Sequence, residues 1–181
     1  MGFEMKIVST TYANRLAIVE EFAHLGARAV VLSNLCHIRP AEAREICRQI
    51  QKKQATSGQT PTDHQWFLQT HERRKHGALL LLLFARFAEY HQQQLPNDYI
   101  ALGALLAYKT YSRLVPDRLV SVERFFLLID GGFKLSGIFH HGYSGYGTDN
   151  IKILKCKNCQ IPHLVEDFRI SFICPACKTR K

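Results

Sequence analysis

Apolar residues recur at helical spacing through most of the chain between residues 12 and 130. The first such stretch, Tyr12–Leu35, predicts one long or kinked helix because Gly26 interrupts the pattern. A second helix is expected from Pro40 to about Lys53, since proline at the first helical position gives up no hydrogen bond. Most of this part of the chain should therefore be helical.

The later helices follow turn-forming segments. A loop is expected from about Gln54 to Thr62, and one or two helices then contain the single tryptophan, Trp66. Further helices are predicted over Tyr99–Leu114 and from Pro116 to Ile129. Repeated glycines between Gly131 and Gly147 exclude a continuing helix, so we expect a turn-rich connection there.

Near the end of the chain, two pairs of cysteines have the spacing C-x2-C-x14-C-x2-C, and they are Cys156, Cys159, Cys174 and Cys177. A two-residue gap lets both cysteines of one turn reach the same ion, and four thiolates satisfy a tetrahedral zinc ion. We expect one structural Zn²⁺, because four cysteine ligands leave no position for water or substrate. The alternatives are free thiols or redox pairs on a disordered tail, and a site in which His163 replaces one ligand.

The patterns together predict a mainly α protein. Its multi-helix body would have a helix-turn-helix-like N-terminal part, and a small zinc-ribbon-like module would follow. Residues 1–135 would form the helical domain, residues 136–151 a Gly/Tyr-rich connection, and residues 152–181 the zinc-binding module. Such a short module cannot build a sufficient core, so metal binding would supply its folding free energy, roughly 10–16 kcal/mol in small zinc domains.

The charge balance favours an anionic partner. Lysine and arginine total 24 against 15 aspartate and glutamate, which gives a net charge of +9 and a pI near 9.4. The most apolar run, Ala78–Ala85, is much shorter than the ~20 residues that cross a bilayer. Because no secretory signal is visible either, we expect a cytoplasmic protein without a membrane partner, where paired cysteines bind metal rather than form disulfides.

The second helix carries two different stripes. One is apolar and comprises Ala43, Ile46, Cys47 and Ile50. The other is polar and largely basic, and comprises Arg44, Arg48, Gln51 and Lys52. With the preceding apolar helix and a short turn, this resembles a helix-turn-helix unit whose second helix enters the major groove of double-stranded DNA. An ordinary amphipathic helix with a solvated basic face is the alternative.

Further cations cluster in "HERRKH" and in the tail, where phosphate contact and simple solvation are both plausible. From residue 151 onward, seven lysines and arginines stand against Glu166 and Asp167, a balance of +5. The candidate DNA contacts are Arg39, Arg44, Arg48, Gln51, Lys52, Lys53, Arg73, Arg74, Lys155, Lys157, Arg169, Lys178, Arg180 and Lys181.

The sequence does not favour an enzyme. It contains no phosphate-binding glycine loop, no histidine–carboxylate metal motif and no evident catalytic set of serine, cysteine or carboxylate residues. The remaining notable side chains lie in apolar patterns, so we expect them in the core, and they are Phe125, Phe126, Trp66, Cys36 and Cys47.

From about residue 20 to residue 177 the chain resembles the FlhC family, the C subunit of FlhD–FlhC transcriptional activators. The likeness comprises "HLGARAVVLSNL" with the basic helix, "TDHQWFLQT", the helices "ALGALLAYKTYSRL" and "VERFFLLIDGG", and the terminal cysteine module. The resemblance implies a mainly helical subunit that joins a smaller FlhD-like subunit, binds promoter DNA and helps recruit RNA polymerase. By position, the family's zinc ligands correspond to Cys156, Cys159, Cys174 and Cys177.

Two differences from the flagellar members of that family favour another role. The chain ends four residues after Cys177, where those members continue, and "HHGYSGYGTDNIKI" extends the segment before the module. We therefore expect similarity to relatives on conjugative plasmids and integrative elements, which activate transfer genes. The competing hypothesis is a zinc-stapled scaffold that binds only proteins while its partner contacts DNA.

Overall fold

The computed structural model describes residues 12–52, 58–92, 99–130, 144–145 and 151–179. Within them the helices are α1 (Tyr12–His24), α2 (Ala29–Cys36), α3 (Pro40–Gln51), a 3-10 helix (His64–Leu68), α4 (His71–Gln92), α5 (Tyr99–Leu114), α6 (Val122–Asp130) and α7 (Pro175–Lys178). An antiparallel sheet has the order β1 (Ser144–Gly145), β2 (Ile151–Lys155), β3 (Pro162–Glu166). The predicted mainly helical class is confirmed.

The first predicted helix is in fact two helices, α1 and α2. After α1 ends at His24, Gly26 adopts the left-handed conformation with φ of 91°. The Gly26 N–H donates to the carbonyl oxygen of Ala23, and the Ala27 N–H donates to that of Phe22, both at 3.0 Å. This pair of bonds is the Schellman helix end, which favours glycine, so Gly26 ends the helix and does not merely kink it.

Three residues, 37–39, join α2 to α3. His37 turns the chain with a left-handed φ of 52°, and the Ser33 hydroxyl donates to the carbonyl oxygen of Ile38 at 2.8 Å. Helix α3 then begins at Pro40, as the sequence predicts. The two helices pack on each other and on α1, which gives the arrangement of a helix, a short turn and a second helix.

Helices α4 and α5 make the most extensive helix–helix contact in the described body. A side chain at Gly103 would place its Cβ 3.0 Å from backbone atoms of Ala88, so the lack of one lets the two helices approach. Further along the pair, the Tyr111 hydroxyl lies 2.6 Å from His76 Nδ1. The same hydroxyl accepts the Val120 N–H at 3.3 Å, which ties the segment before α6 to both helices.

The helix predicted to begin at Pro116 begins at Val122 instead, so that boundary was wrong. The Ser121 carbonyl oxygen accepts the Phe125 N–H at 2.9 Å, and the Ser121 hydroxyl accepts the Arg124 N–H at 3.3 Å. Serine is a favoured N-cap because its hydroxyl satisfies a free N–H of the first turn. The cap, rather than the proline, therefore sets where α6 starts.

Residues of the sheet contribute to two buried hydrophobic clusters. Along β3 successive side chains point to opposite faces, so Leu164 packs into the large cluster of helical residues while Val165 packs beside the cysteines. Ile151 and Ile153 of β2 join the helical cluster. The strands of the cysteine module are therefore built into the main core, and β3 contacts α4 and the 3-10 helix.

Most of the predicted core residues are buried. Phe125, Phe126, Cys36 and Cys47 are confirmed as core, whereas Trp66 is only half-buried. None of the helices in the described part of the chain is long and apolar enough to cross a membrane. Of the predicted connection over residues 136–151, the structure describes only Ser144–Gly145 and Ile151, and the domain boundaries stay predictions.

Candidate metal centre and cationic surfaces

Two backbone turns present the cysteine pairs. In the first turn, the Cys156 N–H donates to the carbonyl oxygen of Ile161, and the Gln160 N–H donates to that of Cys156, both at 2.9 Å. Gln160 closes this turn with a left-handed φ of 59°. In the second, the Cys177 N–H donates to the carbonyl oxygen of Cys174 at 3.0 Å, just where α7 begins.

Hydrogen bonds join the two turns. The Lys157 N–H donates to the carbonyl oxygen of Phe172 at 3.0 Å. The Cys174 N–H donates to Cys156 Sγ at 3.3 Å, a bond typical of thiolates that bind metal ions. These bonds hold the two cysteine turns next to each other.

The four sulfur atoms predicted as ligands come together. They all lie within 4.8 Å of one another, and Cys159 Sγ is 3.8 Å from Cys174 Sγ. A tetrahedral ion with bonds of about 2.3 Å to sulfur places its sulfurs about 3.8 Å apart. All four cysteines are free thiols, so each can supply one ligand atom. The cluster can hold a metal ion.

The ionisation of these thiols fits such a site. Burial opposes ionisation of Cys156, but hydrogen bonds from backbone N–H groups, those of Cys159 and Cys174 foremost, lower its pKa to about 6. Hydrogen bonding with Cys174 raises the pKa of Cys177 to about 12, and burial raises that of Cys159. Cys156 therefore ionises readily, whereas ionisation of Cys159 and Cys177 is disfavoured. A bound divalent cation would favour the thiolate form of all of them.

His163 does not join the sulfur cluster. Its ring is buried, with its centroid 5.1 Å from that of Phe172, and neither ring nitrogen has a hydrogen-bond partner among the described residues. Burial, followed by the nearby charge of Arg74, lowers its pKa to about 4, so the ring is neutral. The described geometry therefore favours four cysteine ligands over a site completed by His163.

Helix α3 leaves its arginines in solvent. Ala43 and Cys47 are buried on one side, while Arg44 and Arg48 are exposed on another. Arg48 Nη2 lies 2.6 Å from a carboxylate oxygen of the exposed Glu45, an ion pair that water screens and other anions can replace. The predicted separation into a packing stripe and a free basic stripe is present for these residues.

Other candidates on α3 differ in their environment. Gln51 is half-buried and its amide donates to the carbonyl oxygens of Ala23 at 3.1 Å and Ala27 at 2.8 Å, so it closes the α1 end of this unit. Arg39 and Lys52 are exposed at the two ends of α3. Base reading by Gln51 stays a prediction, and it would require the side chain to give up both bonds.

Two arginines flank the single tryptophan. The guanidinium carbon of Arg73 lies 4.3 Å from the Trp66 ring centroid, and that of Arg124 lies 4.2 Å from it. Burial and the charge of Arg73 lower the pKa of Arg124. Sequence reasoning missed Arg124, because a lone cation in the apolar helix "VERFFLLID" gives no sign of where tertiary packing places it. Arg73 is thus held against Trp66, half-exposed, rather than extended into solvent.

Arg74 links the "HERRKH" cluster to the cysteine module. Its Nη2 donates to the carbonyl oxygen of Leu68 at 3.3 Å. A hydrogen bond from Arg169 and, at longer range, the charge of Arg74 lower the pKa of Glu166 in β3. The start of α4 and the module, far apart in sequence, therefore lie side by side.

The module's cations are unequally placed. Lys155, Lys157 and Lys178 are exposed, and Arg169 is half-exposed and bonded to Glu166. Lys152, counted in the tail's positive balance, is only 9% exposed. Three further candidates, Lys53, Arg180 and Lys181, lie outside the described residues.

Comparison with protein-family models and with curated proteins finds no match for this chain.

Proposed function

We propose that this chain is a DNA-binding subunit of a heteromeric transcriptional activator. The observation that carries the proposal is the exposed basic face of α3, which packs on α1 and α2 through its opposite side. The solvent-exposed cations of this helix and its ends are Arg39, Arg44, Arg48 and Lys52. A helix of this kind after a three-residue turn has the proportions of a unit that enters the major groove.

We further propose that the four cysteines hold one structural Zn²⁺. Four sulfur donors within 4.8 Å of one another suit zinc and leave no open coordination position for catalysis. The ion would stabilise the two turns and thereby hold Lys157 and Lys178, one on each turn, in fixed positions. A cytoplasmic location, where thiols stay reduced, agrees with this use of cysteine.

The resemblance to the FlhC family supplies the proposed partners. They are a smaller FlhD-like subunit, promoter DNA and RNA polymerase, and the regulated genes would be those of conjugative transfer or flagella. Co-expression with a small FlhD-like protein from a neighbouring reading frame tests the first of these. Co-purification in a fixed ratio is expected, and two proteins that elute separately would contradict the heteromer.

DNA binding is tested with duplexes from neighbouring promoters and with random duplexes of the same length, between about 50 and about 200 mM salt. We expect a preference for promoter DNA that Arg44→Ala and Arg48→Ala weaken. Arg86→Ala is the matched control, because it removes an exposed arginine of α4 that is not among the candidate DNA contacts. Equal affinity for random DNA at every salt concentration would remove the proposal.

A crosslinking experiment on the assembled complex separates this function from the scaffold alternative. Crosslinks from DNA to this chain, at α3 or the module, are expected. Crosslinks confined to the FlhD-like partner would replace the proposed function with that of a protein-binding scaffold.

A further inference from the structure

Between β3 and the second cysteine turn the chain exposes two bulky apolar side chains. Ile170 is 96% exposed and Phe168 is 74% exposed, and the guanidinium carbon of Arg169 lies 5.7 Å from the centroid of the Phe168 ring. We call this pair the apolar hook. Single exposed apolar residues are common on protein surfaces, but two this exposed and this close together mark an interaction site.

The hook is anchored at both ends. On one side the Arg169 N–H donates to the carbonyl oxygen of Glu166 at 3.1 Å, which forms a turn directly after β3. On the other side Phe172 is buried, and its carbonyl oxygen accepts the Lys157 N–H at 3.0 Å. A hook presented from ordered supports loses little conformational entropy when it binds.

The surroundings of the hook are cationic. Lys155, Lys157 and Lys178 are exposed on the same module, and the carboxylate of Glu166 is paired with Arg169. The exposed Asp167, next to Phe168, offsets only part of this positive charge. Arg74 continues this positive surface onto the start of α4, beside β3. Two copies of the chain would bring like charges together at the hook, which opposes self-association there. The occupant must accept apolar side chains and carry dense negative charge.

We propose that the hook inserts between adjacent base pairs of duplex DNA while the module's lysines bind the flanking phosphates. Duplex DNA offers one negative charge per about 1.7 Å of its axis, and its base steps accept apolar wedges such as Phe and Ile from the minor groove. Such insertion partly unstacks the step and bends the duplex. This inference rests on the proposed function, because it needs DNA as the ligand, and it adds a second contact of a different kind from that of α3.

The test uses the full zinc-loaded chain and a mixed-sequence duplex with a fluorophore at each end, at about 50 mM salt. Anisotropy gives the affinity, and energy transfer between the ends gives the bend. For the double variant Phe168→Ala/Ile170→Ala we expect an affinity loss of about tenfold or more and loss of the bend. Its salt dependence should be unchanged, since no cation is removed.

The matched control is Leu114→Ala/Leu119→Ala, which removes two exposed apolar side chains, 62% and 47% exposed, from the helical body. It should bind and bend DNA as the wild type does. The single variant Ile170→Ala provides a second test in case the double variant misfolds, because a side chain so exposed adds little to the stability of the fold. Ile170→Ala must lower the affinity and reduce the bend, as the double variant does.

Two results would overturn the inference in distinguishable ways. If the wild type binds the duplex but the hook variants bind and bend it equally well, the hook contacts something else, such as a protein, and the proposed function stands. If the wild type binds the duplex at about 50 mM salt neither alone nor in complex with the proposed FlhD-like partner, both the hook and the proposed function fail.

Discussion

The backbone N–H of Lys157 donates to the carbonyl oxygen of Phe172 at 3.0 Å, which ties the first cysteine turn to the segment that leads into the second. In β3, Val165 packs beside the cysteines, whereas Leu164, on the opposite face of the strand, belongs to the helical core. The module is thus supported from two sides, by the cysteine cluster and by the body. Its parts should therefore respond differently when the metal is removed.

If the four cysteines hold zinc as proposed, its removal with a strong chelator should unfold the two cysteine turns but leave β2 and β3 in place. The strands keep their contacts through Ile151, Ile153 and Leu164, whereas the turns lose the roughly 10–16 kcal/mol that zinc provides in small domains. Hydrogen exchange should show lost protection at the N–H groups that bond within and between the two turns, those of Cys156, Lys157, Gln160, Cys174 and Cys177 among them, and retained protection in β2 and β3. Unchanged protection throughout the module would contradict a structural role for the metal.

Tyr111→Phe should destabilise the protein by about 1–3 kcal/mol. The hydroxyl is buried, accepts the Val120 N–H and lies 2.6 Å from His76 Nδ1, so its loss leaves these groups without a partner. Urea unfolding followed by circular dichroism measures the change. Tyr90→Phe is the control, because that ring is 66% exposed, and equal stability of both variants would contradict the role of the Tyr111 bonds.

His163 should make stability depend on pH. In the unfolded chain its imidazole takes up a proton near pH 6.5, whereas burial and the charge of Arg74 lower its pKa in the fold to about 4. The unfolded state therefore binds the proton first, so stability is full above about pH 6.5 and falls by about 3 kcal/mol as the pH approaches about 4.

The comparison of wild type with His163→Leu isolates this effect. Acid also releases zinc from cysteines, but that loss is common to both proteins and cancels in the difference between their unfolding free energies. The leucine variant should lose less stability over this pH range. Identical pH profiles for the two proteins would show that His163 keeps its ordinary pKa.

Arginines on α3 and lysines on the module should affect DNA binding in different ways. If Arg44 contacts a base, Arg44→Ala costs about 1–3 kcal/mol on the preferred sequence and little on others. Lys178→Ala should weaken all sequences alike and reduce the salt slope by about 0.9. Titrations of promoter and random duplexes over a salt series check both predictions. A sequence-dependent effect of Lys178→Ala would contradict its assignment as a phosphate contact.

Local patterns in the sequence predicted several elements closely. Helix α5 has the predicted bounds Tyr99–Leu114, and α3 starts at Pro40, because periodicity and a terminal proline act within a few residues. Likewise the spacing of the cysteine pairs correctly predicted which sulfurs come together, since each pair occupies one turn. The start of α6 was misplaced because Ser121 caps it, a feature present in the sequence but outweighed there by Pro116.

Contacts between distant segments could not be predicted in this way. Nothing in the local pattern of β3 indicated that Leu164 would join the helical core, or that Arg74 would lie beside the cysteine module. Gln51 was assigned to the basic stripe from the sequence, but its side chain bonds to the carbonyl oxygens of Ala23, in α1, and Ala27, just after that helix. These contacts depend on how distant segments pack together, and that packing cannot be deduced from the local pattern of a single sequence.

The most direct test of the account measures duplex binding by the full chain at about 50 mM salt before chelation, after chelation and after zinc is restored. We expect binding by protein that carries about one zinc ion per chain, a marked loss of affinity when the ion is removed, and recovery when it returns. Binding that is absent throughout, or that is the same with and without zinc, would contradict a zinc-stabilised DNA-binding subunit.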